Sequence, residues 1–207
     1  MHRTTRQPAR RLAVLAAVAG LGTVVAVVLA TTPAGASVGP VGASGTFAVP
    51  AAATNAFTYD PAQVPVGARV EVHAVPTGSG RTVVTLHVWG LLPDESYGAH
   101  IHYRPCGATG SAAGAHYENV PDPAVSGSET VSSVDAAYAN PANEVWLDME
   151  TNADGNGRAQ TVVDWTVRPT ASGGPRSVIL HRDTTSTGGQ VPPGNAGARL
   201  ACVTVPF

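Results

Sequence analysis

The 207-residue chain contains no lysine: its 12 basic side chains are all arginines, set against 14 acidic ones. Charged residues make up only 13% of the chain and aromatic residues 5%, and cysteine occurs twice. Four of the arginines, Arg3, Arg6, Arg10 and Arg11, lie in the first segment, MHRTTRQPARR, which has no acidic residue. From residue 37 onward eight cations therefore face 14 acids, a net charge of −6. That balance argues against nucleic acid and against anionic membrane surfaces as partners, and an anionic ligand would need a local positive feature to offset it. Helical periodicity is absent beyond the N-terminal segment, and no internal repeat is present.

After the basic segment comes a continuous apolar run, LAVLAAVAGLGTVVAVVLA, then TTPAGAS with the small-residue site Ala34-Gly35-Ala36. Basic start, apolar run and A-x-A site together read as a secretory signal over residues 1–36, cut before Ser37. The run from Leu12 to Ala30 is long enough to span a bilayer, so an uncleaved anchor is the alternative reading; without it no stable membrane partner is expected. Arg10-Arg11 is a weak hint of twin-arginine export. No cysteine follows the run closely, which excludes an N-terminal lipid modification. The protein is read as exported.

Residues 37–55 are rich in Ala, Gly, Val and Pro without periodicity and read as a flexible leader. Residues 56–207 are long enough for one domain with a good core. They hold short alternating segments, ARVEVHAV, GRTVVTLHVWG, EVWLDMET, AQTVVDWTV, SVILH and RLACVTV, separated by turn chemistry such as PTGSG, LPDES, NADGNG and SGGP. With 23 Gly and 17 Pro, this pattern predicts an all-β, antiparallel β-sandwich or barrel. In an exported chain Cys106 and Cys202 are expected to pair. A free buried thiol and a soft metal ligand are the alternatives.

The stretch from Ser96 to Cys106 reads SYGAHIHYRPC. In an extended strand residues i and i+2 share a face, so His100 and His102 can reach one point, whereas a helix would separate them by about 200°. Two polar residues on a solvent face would give the same pattern, so a metal site needs further ligands. His116 lies in a loop rich in small residues, SAAGAHYENVPDP, and His181 ends the strand SVILH. His73 and His87 sit in strands whose alternation is complete without a special role, and His2 is in the signal.

Taken together, GAHIHYRPCG, AGAHYEN, ILHRD and GNAGARLAC, in that order, resemble the motifs of the copper/zinc superoxide dismutase family. The match is specific in these four motifs and patchy over 57–92, where only the strand pattern agrees. The resemblance implies a Greek-key β-sandwich of about eight antiparallel strands. It implies His100, His102, His116 and His181 as copper ligands, Arg199 as the residue guiding superoxide, and a Cys106–Cys202 bridge. In the family the histidine matching His116 also bridges to a zinc held by two further histidines and an aspartate. This chain has no histidine between His116 and His181, and Asn140 and Asn143 stand near the places of a histidine and the aspartate. No pattern singles out Asp135 or Asp148 as replacements. The loop from His181 to Arg199 is short and resembles that of copper-only members. The implied activity is superoxide dismutation with one copper per chain and no zinc, with superoxide as a small anionic substrate. A secreted copper-binding or scavenging module is the alternative. Arg182 and Arg104 are possible helpers of Arg199 by proximity in sequence.

Overall fold

The computed structural model describes residues 39–125 and 129–207. The expected signal, 1–36, and the first two residues of the expected leader lie outside the described residues. The strands are β1 (Val41–Thr46), β2 (Ala56–Thr58), β3 (Arg69–Pro76), β4 (Thr82–Trp89), β5 (Ser96–His102), β6 (Met149–Glu150), β7 (Gly157–Val163), β8 (Arg176–His181) and β9 (Arg199–Val205). They form two antiparallel sheets, one in the order β1-β3-β4-β7 and the other in the order β2-β9-β8-β5-β6. Among the described residues the only helical element is a 3₁₀ turn, Gly110–Ala113. The all-β sandwich expected from the turn spacing is what the chain adopts.

Strand alternation builds the core. In β4 Thr82, Val84, Leu86 and Val88 are buried while the residues between them are half-exposed. Val70, Val72 and Ala74 of β3 point the same way. Burial of each such aliphatic side chain contributes roughly 1.5–3 kcal/mol relative to exposure. The expectation of a flexible leader over 37–55 is corrected for its described part. β1 pairs in full register with β3, from Val41 opposite Ala74 to Thr46 opposite Arg69, and Phe47 is buried in the core. The strand VGASGT escapes a propensity reading because Gly, Ala and Ser carry little β signal, and pairing with β3 supplies what propensity does not. The segment EVWLDMET is also less regular than expected: only Met149–Glu150 is strand, with isolated bridges of Glu144 to Glu118 and Trp146 to His100.

The five-stranded sheet is buried on both faces at its centre. Tyr97, Ala99 and Ile101 of β5, with Val178 and Leu180 of β8, enter the main core. The opposite face of these strands is covered by the long connections after β5 and β8, so every residue of β8 and all but Ser96 of β5 are buried. After β5 the chain turns back beside it: Tyr103 N donates to Ala115 O, His102 bridges His116, and Tyr117 N donates to Ile101 O.

Two devices hold the connection after β5 down. The disulfide Cys106–Cys202 joins the loop leaving β5 to β9, with Cα atoms 5.8 Å apart and a sequence separation of 96. The other is Arg176, almost fully buried, whose guanidinium donates to the carbonyls of Arg168, Pro169 and Tyr103 and stacks 4.0 Å from the Tyr117 ring centroid. Closing the loop between Cys106 and Cys202 restricts the unfolded chain by about 4.7 kcal/mol in the chain-entropy account. The double substitution Cys106→Ser with Cys202→Ser is therefore expected to lower the unfolding free energy by several kcal/mol in urea titration. An unchanged midpoint would contradict the anchoring role.

Candidate metal centre

Gly98, His100 and His102 share the face of β5 that points away from the core. Register with β8 sets His181 opposite Gly98, and the returning chain sets His116 beside His102. A Cβ on Gly98 would collide with the carbonyl oxygen of Asp183, so glycine lets the loop after β8 lie against β5. The four imidazoles converge, with one nitrogen from each within 4.8 Å of the others, and all four residues are at most 5% exposed. His73 and His87 stay on the other sheet: His73 pairs with Glu71 at 2.8 Å, and the His87 ring lies 5.7 Å from that of Trp89. Sequence spacing placed the first two ligand candidates on one face, and the fold brings the other two to it.

The outward nitrogen of each ring has a partner. His102 Nδ1 donates to Gly114 O at 3.0 Å and His181 Nδ1 to Gly197 O at 3.4 Å. His116 Nδ1 donates to Glu144 Oε2 at 3.1 Å, and His100 Nε2 meets Thr185 Oγ1 at 2.7 Å. Backbone carbonyls only accept, so in His102 and His181 the Nε2 lone pairs face inward, 3.2 Å apart. Two lone pairs at that separation repel unless they share a cation. His100 Nδ1 is buried with no hydrogen-bond partner. Three Nε2 atoms and one Nδ1 atom thus point at a common centre, and imidazole suits both Cu(II) and Cu(I).

Burial holds three of these rings, those of His100, His102 and His181, neutral. His100 and His102 lie well below the ordinary imidazole range, first because of desolvation and next because of His116, with His181 and Arg199 adding to it. His181 is lowered to about 3, again chiefly by burial and then by His116. Neutral imidazole is the form that ligates a metal.

On β9, Arg199 is the cross-strand partner of His181, at an irregularity in the β8–β9 register. Its Nη1 donates to Gly110 O at 2.9 Å. Arg199 lines a cleft of about 200 Å³ together with His116, His181, Ser132, Asn195 and Gly197, so the imidazole cluster opens towards a fixed guanidinium. Arg182 and Arg104 do not line this cleft. Both are exposed and paired, Arg182 with Asp183 and Arg104 with Glu129.

Glu144 was not singled out by the sequence. It is buried at 1% exposure, accepts from His116 Nδ1 and Trp146 Nε1, and leaves Oε1 without a partner. Its only sequence signal is that it is one of three acidic residues in the segment EVWLDMET. Asn140 and Asn143 serve the loop: Asn140 Nδ2 donates to Ala136 O and Ala137 O, and Asn143 Nδ2 to Val120 O and Tyr138 O. Asp135 closes the turn at Ala137, whereas Asp148 reaches the cluster through Thr185.

The family model of copper/zinc superoxide dismutase (SODC) matches residues 66–205. The chain belongs to the copper/zinc superoxide dismutase family. Among solved structures, the Cu/Zn superoxide dismutase from Brucella abortus is similar at 20% identity and a TM-score of 0.50, covering 79% of this chain and 98% of that one. The clock protein EA4 is similar at 16% identity and a TM-score of 0.48, covering 80% of this chain and 92% of that one. At 20% identity the likeness to the Brucella abortus protein concerns the fold alone. No curated protein matches the sequence. Family and cluster together support metal binding, with copper as the metal that the family implies.

The depressed histidines make stability pH-dependent. Above about pH 6.5 both folded and unfolded chains keep these rings neutral. As pH falls below it the unfolded chain takes up protons that the folded chain refuses, and stability drops until the folded values are reached. The slope approaches about 1.4 kcal/mol per pH unit for each histidine. Glu118, raised mainly by desolvation, acts in the opposite sense but is one group against three. Metal-free protein is therefore expected to lose several kcal/mol between pH 7.5 and pH 5 in urea unfolding. A stability independent of pH over that interval would show that the rings are not buried neutral.

Proposed function

We propose that this protein is an exported superoxide dismutase that works with one copper per chain and without zinc. The observation that carries the reading is the convergence of four buried imidazoles, two of which line an open cleft beside one fixed guanidinium. His100 through Nδ1 and His102, His116 and His181 through Nε2 would hold the metal. Copper, when bound, supplies one-electron redox chemistry. The overall reaction takes two superoxide anions and two protons to one dioxygen and one hydrogen peroxide.

The chain's own residues govern access and protons. A net charge of −6 beyond residue 36 opposes the approach of a small anion at long range. Arg199 offsets this locally, and arginine stays charged at any working pH. Its anchor on Gly110 O fixes the direction of the guanidinium, so attraction is focused on the cleft rather than spread over the surface. Glu144 keeps a proton on His116 Nδ1 and thereby leaves Nε2 as the inward atom. In members with zinc the matching histidine bridges the two metals; here a carboxylate engages His116 Nδ1, and no further histidine lies nearby among the described residues. Zinc is therefore left out of the proposal. The disulfide accords with an oxidising compartment, which supports export.

Purified protein supplied with both metals is expected to retain close to one copper per chain and negligible zinc after dialysis. Stoichiometric zinc held together with copper would overturn the copper-only reading. Alanine at His100, His102 or His181 is expected to abolish tight copper binding, and His73→Ala and His87→Ala to spare it. Arg199→Ala should keep the copper and lower the rate constant for superoxide removal about tenfold, equivalent to about 1.4 kcal/mol. Arg199→Glu should be slower still, and the salt dependence of the rate should weaken in Arg199→Ala. Equal rates for wild type and Arg199→Glu at low salt would remove the guiding role. Copper bound by the wild type without turnover would instead favour a copper-holding module.

A further inference from the structure

The partner of His100 differs in kind from those of the other three histidines. Carbonyls and a carboxylate can only accept, but Thr185 offers a hydroxyl, which can either donate or accept. Which role it takes decides which nitrogen of His100 carries the proton, and so which atom can face a metal. The surroundings of Thr185 settle that choice.

Thr185 lies four residues beyond His181, in the loop that runs from β8 to β9. Its Oγ1 is 2.5 Å from Asp148 Oδ1, and its backbone N is 2.6 Å from Asp148 Oδ2. Asp148 precedes β6 and also accepts from Ala99 N at 3.3 Å. One carboxylate therefore grips Thr185 twice and ties it to β5. A carboxylate has no proton to give, and a hydroxyl has only one. The Thr185 proton is committed to Asp148, and its oxygen is left to accept from His100 Nε2 across 2.7 Å. With Nε2 protonated, the lone pair of the neutral ring sits on Nδ1, which is the atom buried without a partner.

We infer that Asp148, acting through Thr185, fixes the tautomer of His100 and makes Nδ1 its metal-facing atom. Asp148 and Thr185 are positioning residues: neither lies among the converging nitrogens, and both act on the site through His100. The device also ties the loop after β8 to the site twice, through Thr185 at His100 and through the Gly197 carbonyl at His181. Outer partners of this kind typically change metal affinity 10- to 100-fold when removed. The part of the inference that concerns copper rests on the copper-site reading above; the tautomer does not.

The test is therefore run first on metal-free protein. Long-range ¹H–¹⁵N spectra distinguish a protonated from an unprotonated ring nitrogen, and the His100 signals are identified by their loss in His100→Gln. The wild type is expected to show His100 protonated on Nε2 alone. Thr185→Val removes the acceptor at nearly constant volume and is expected to give a mixture of tautomers, with Thr185→Ser restoring the single form. Asp148→Asn frees the threonine proton and is expected to give a mixture as well. His73 and His87 should be unchanged in all three variants and report that the sandwich is intact. Binding of Cu(II) alone should then weaken 10- to 100-fold in Thr185→Val and recover in Thr185→Ser.

A wild-type His100 protonated on Nδ1 would overturn the inference whatever the variants do. So would a Thr185→Val protein that keeps both the Nε2 tautomer and wild-type copper affinity. If Thr185→Val does not fold, the wild-type spectrum and the serine variant decide. Loss of superoxide removal with the tautomer intact would count against the proposed function and leave this inference standing.

Discussion

Four imidazoles can be packed against one another in a dry interior only if each turns its proton outward and keeps its lone pair within. That constraint organises the centre of this molecule. Every ring has an outward partner: Gly114 O for His102, Gly197 O for His181, Glu144 for His116 and Thr185 for His100. Desolvation keeps His100, His102 and His181 uncharged, and the outward bonds decide which nitrogen faces the middle. The arrangement is costly for an isolated protein and favourable around a cation, which is the usual signature of a site built for a metal.

The partners come from connections rather than from strands, so the fold must hold long loops in place. β5 and β8 supply three histidines on the face turned from the core, while the loops supply His116 and all the outward acceptors. Three constraints pin those loops. The disulfide ties the segment after β5 to β9; Arg176 satisfies three loop carbonyls from a buried position; Asp148 binds the loop after β8 to β5. Glycines permit the close approach. Gly98 admits the Asp183 backbone against β5, and Gly197, at φ 73°, gives its carbonyl to His181 in a turn where a Cβ would strike the Asp183 carboxylate. The G-x-H-x-H and GNAGAR patterns thus carry packing as well as ligands.

The legible part of this protein was what repeats locally. Alternation and turn chemistry gave the all-β class, and the spacing of His100 and His102 put both on one face before any partner was known. Ordered motifs then pointed to His116, His181 and Arg199. What escaped was whatever depends on contact across the fold. β1 reads as a leader in the sequence because its Gly, Ala and Ser have little intrinsic β preference, and only the edge of β3 makes it a strand. Glu144 looked like an ordinary strand charge, and Asp148 and Thr185 lie 37 residues apart in sequence with no pattern joining them. Arg176 stood next to a proline in a turn-like stretch, and nothing local announced that it would be buried under two tyrosines.

The central claim is that these four histidines make a copper centre and that a carboxylate engages the nitrogen which zinc would otherwise occupy. Crystals grown from protein exposed to equal copper and zinc, with anomalous diffraction collected at both absorption edges, test it most directly. One copper peak is expected, bonded to His100 Nδ1 and to the Nε2 atoms of His102, His116 and His181, with Glu144 still on His116 Nδ1. A zinc peak on His116 Nδ1, or a copper peak away from the four imidazoles, would contradict it.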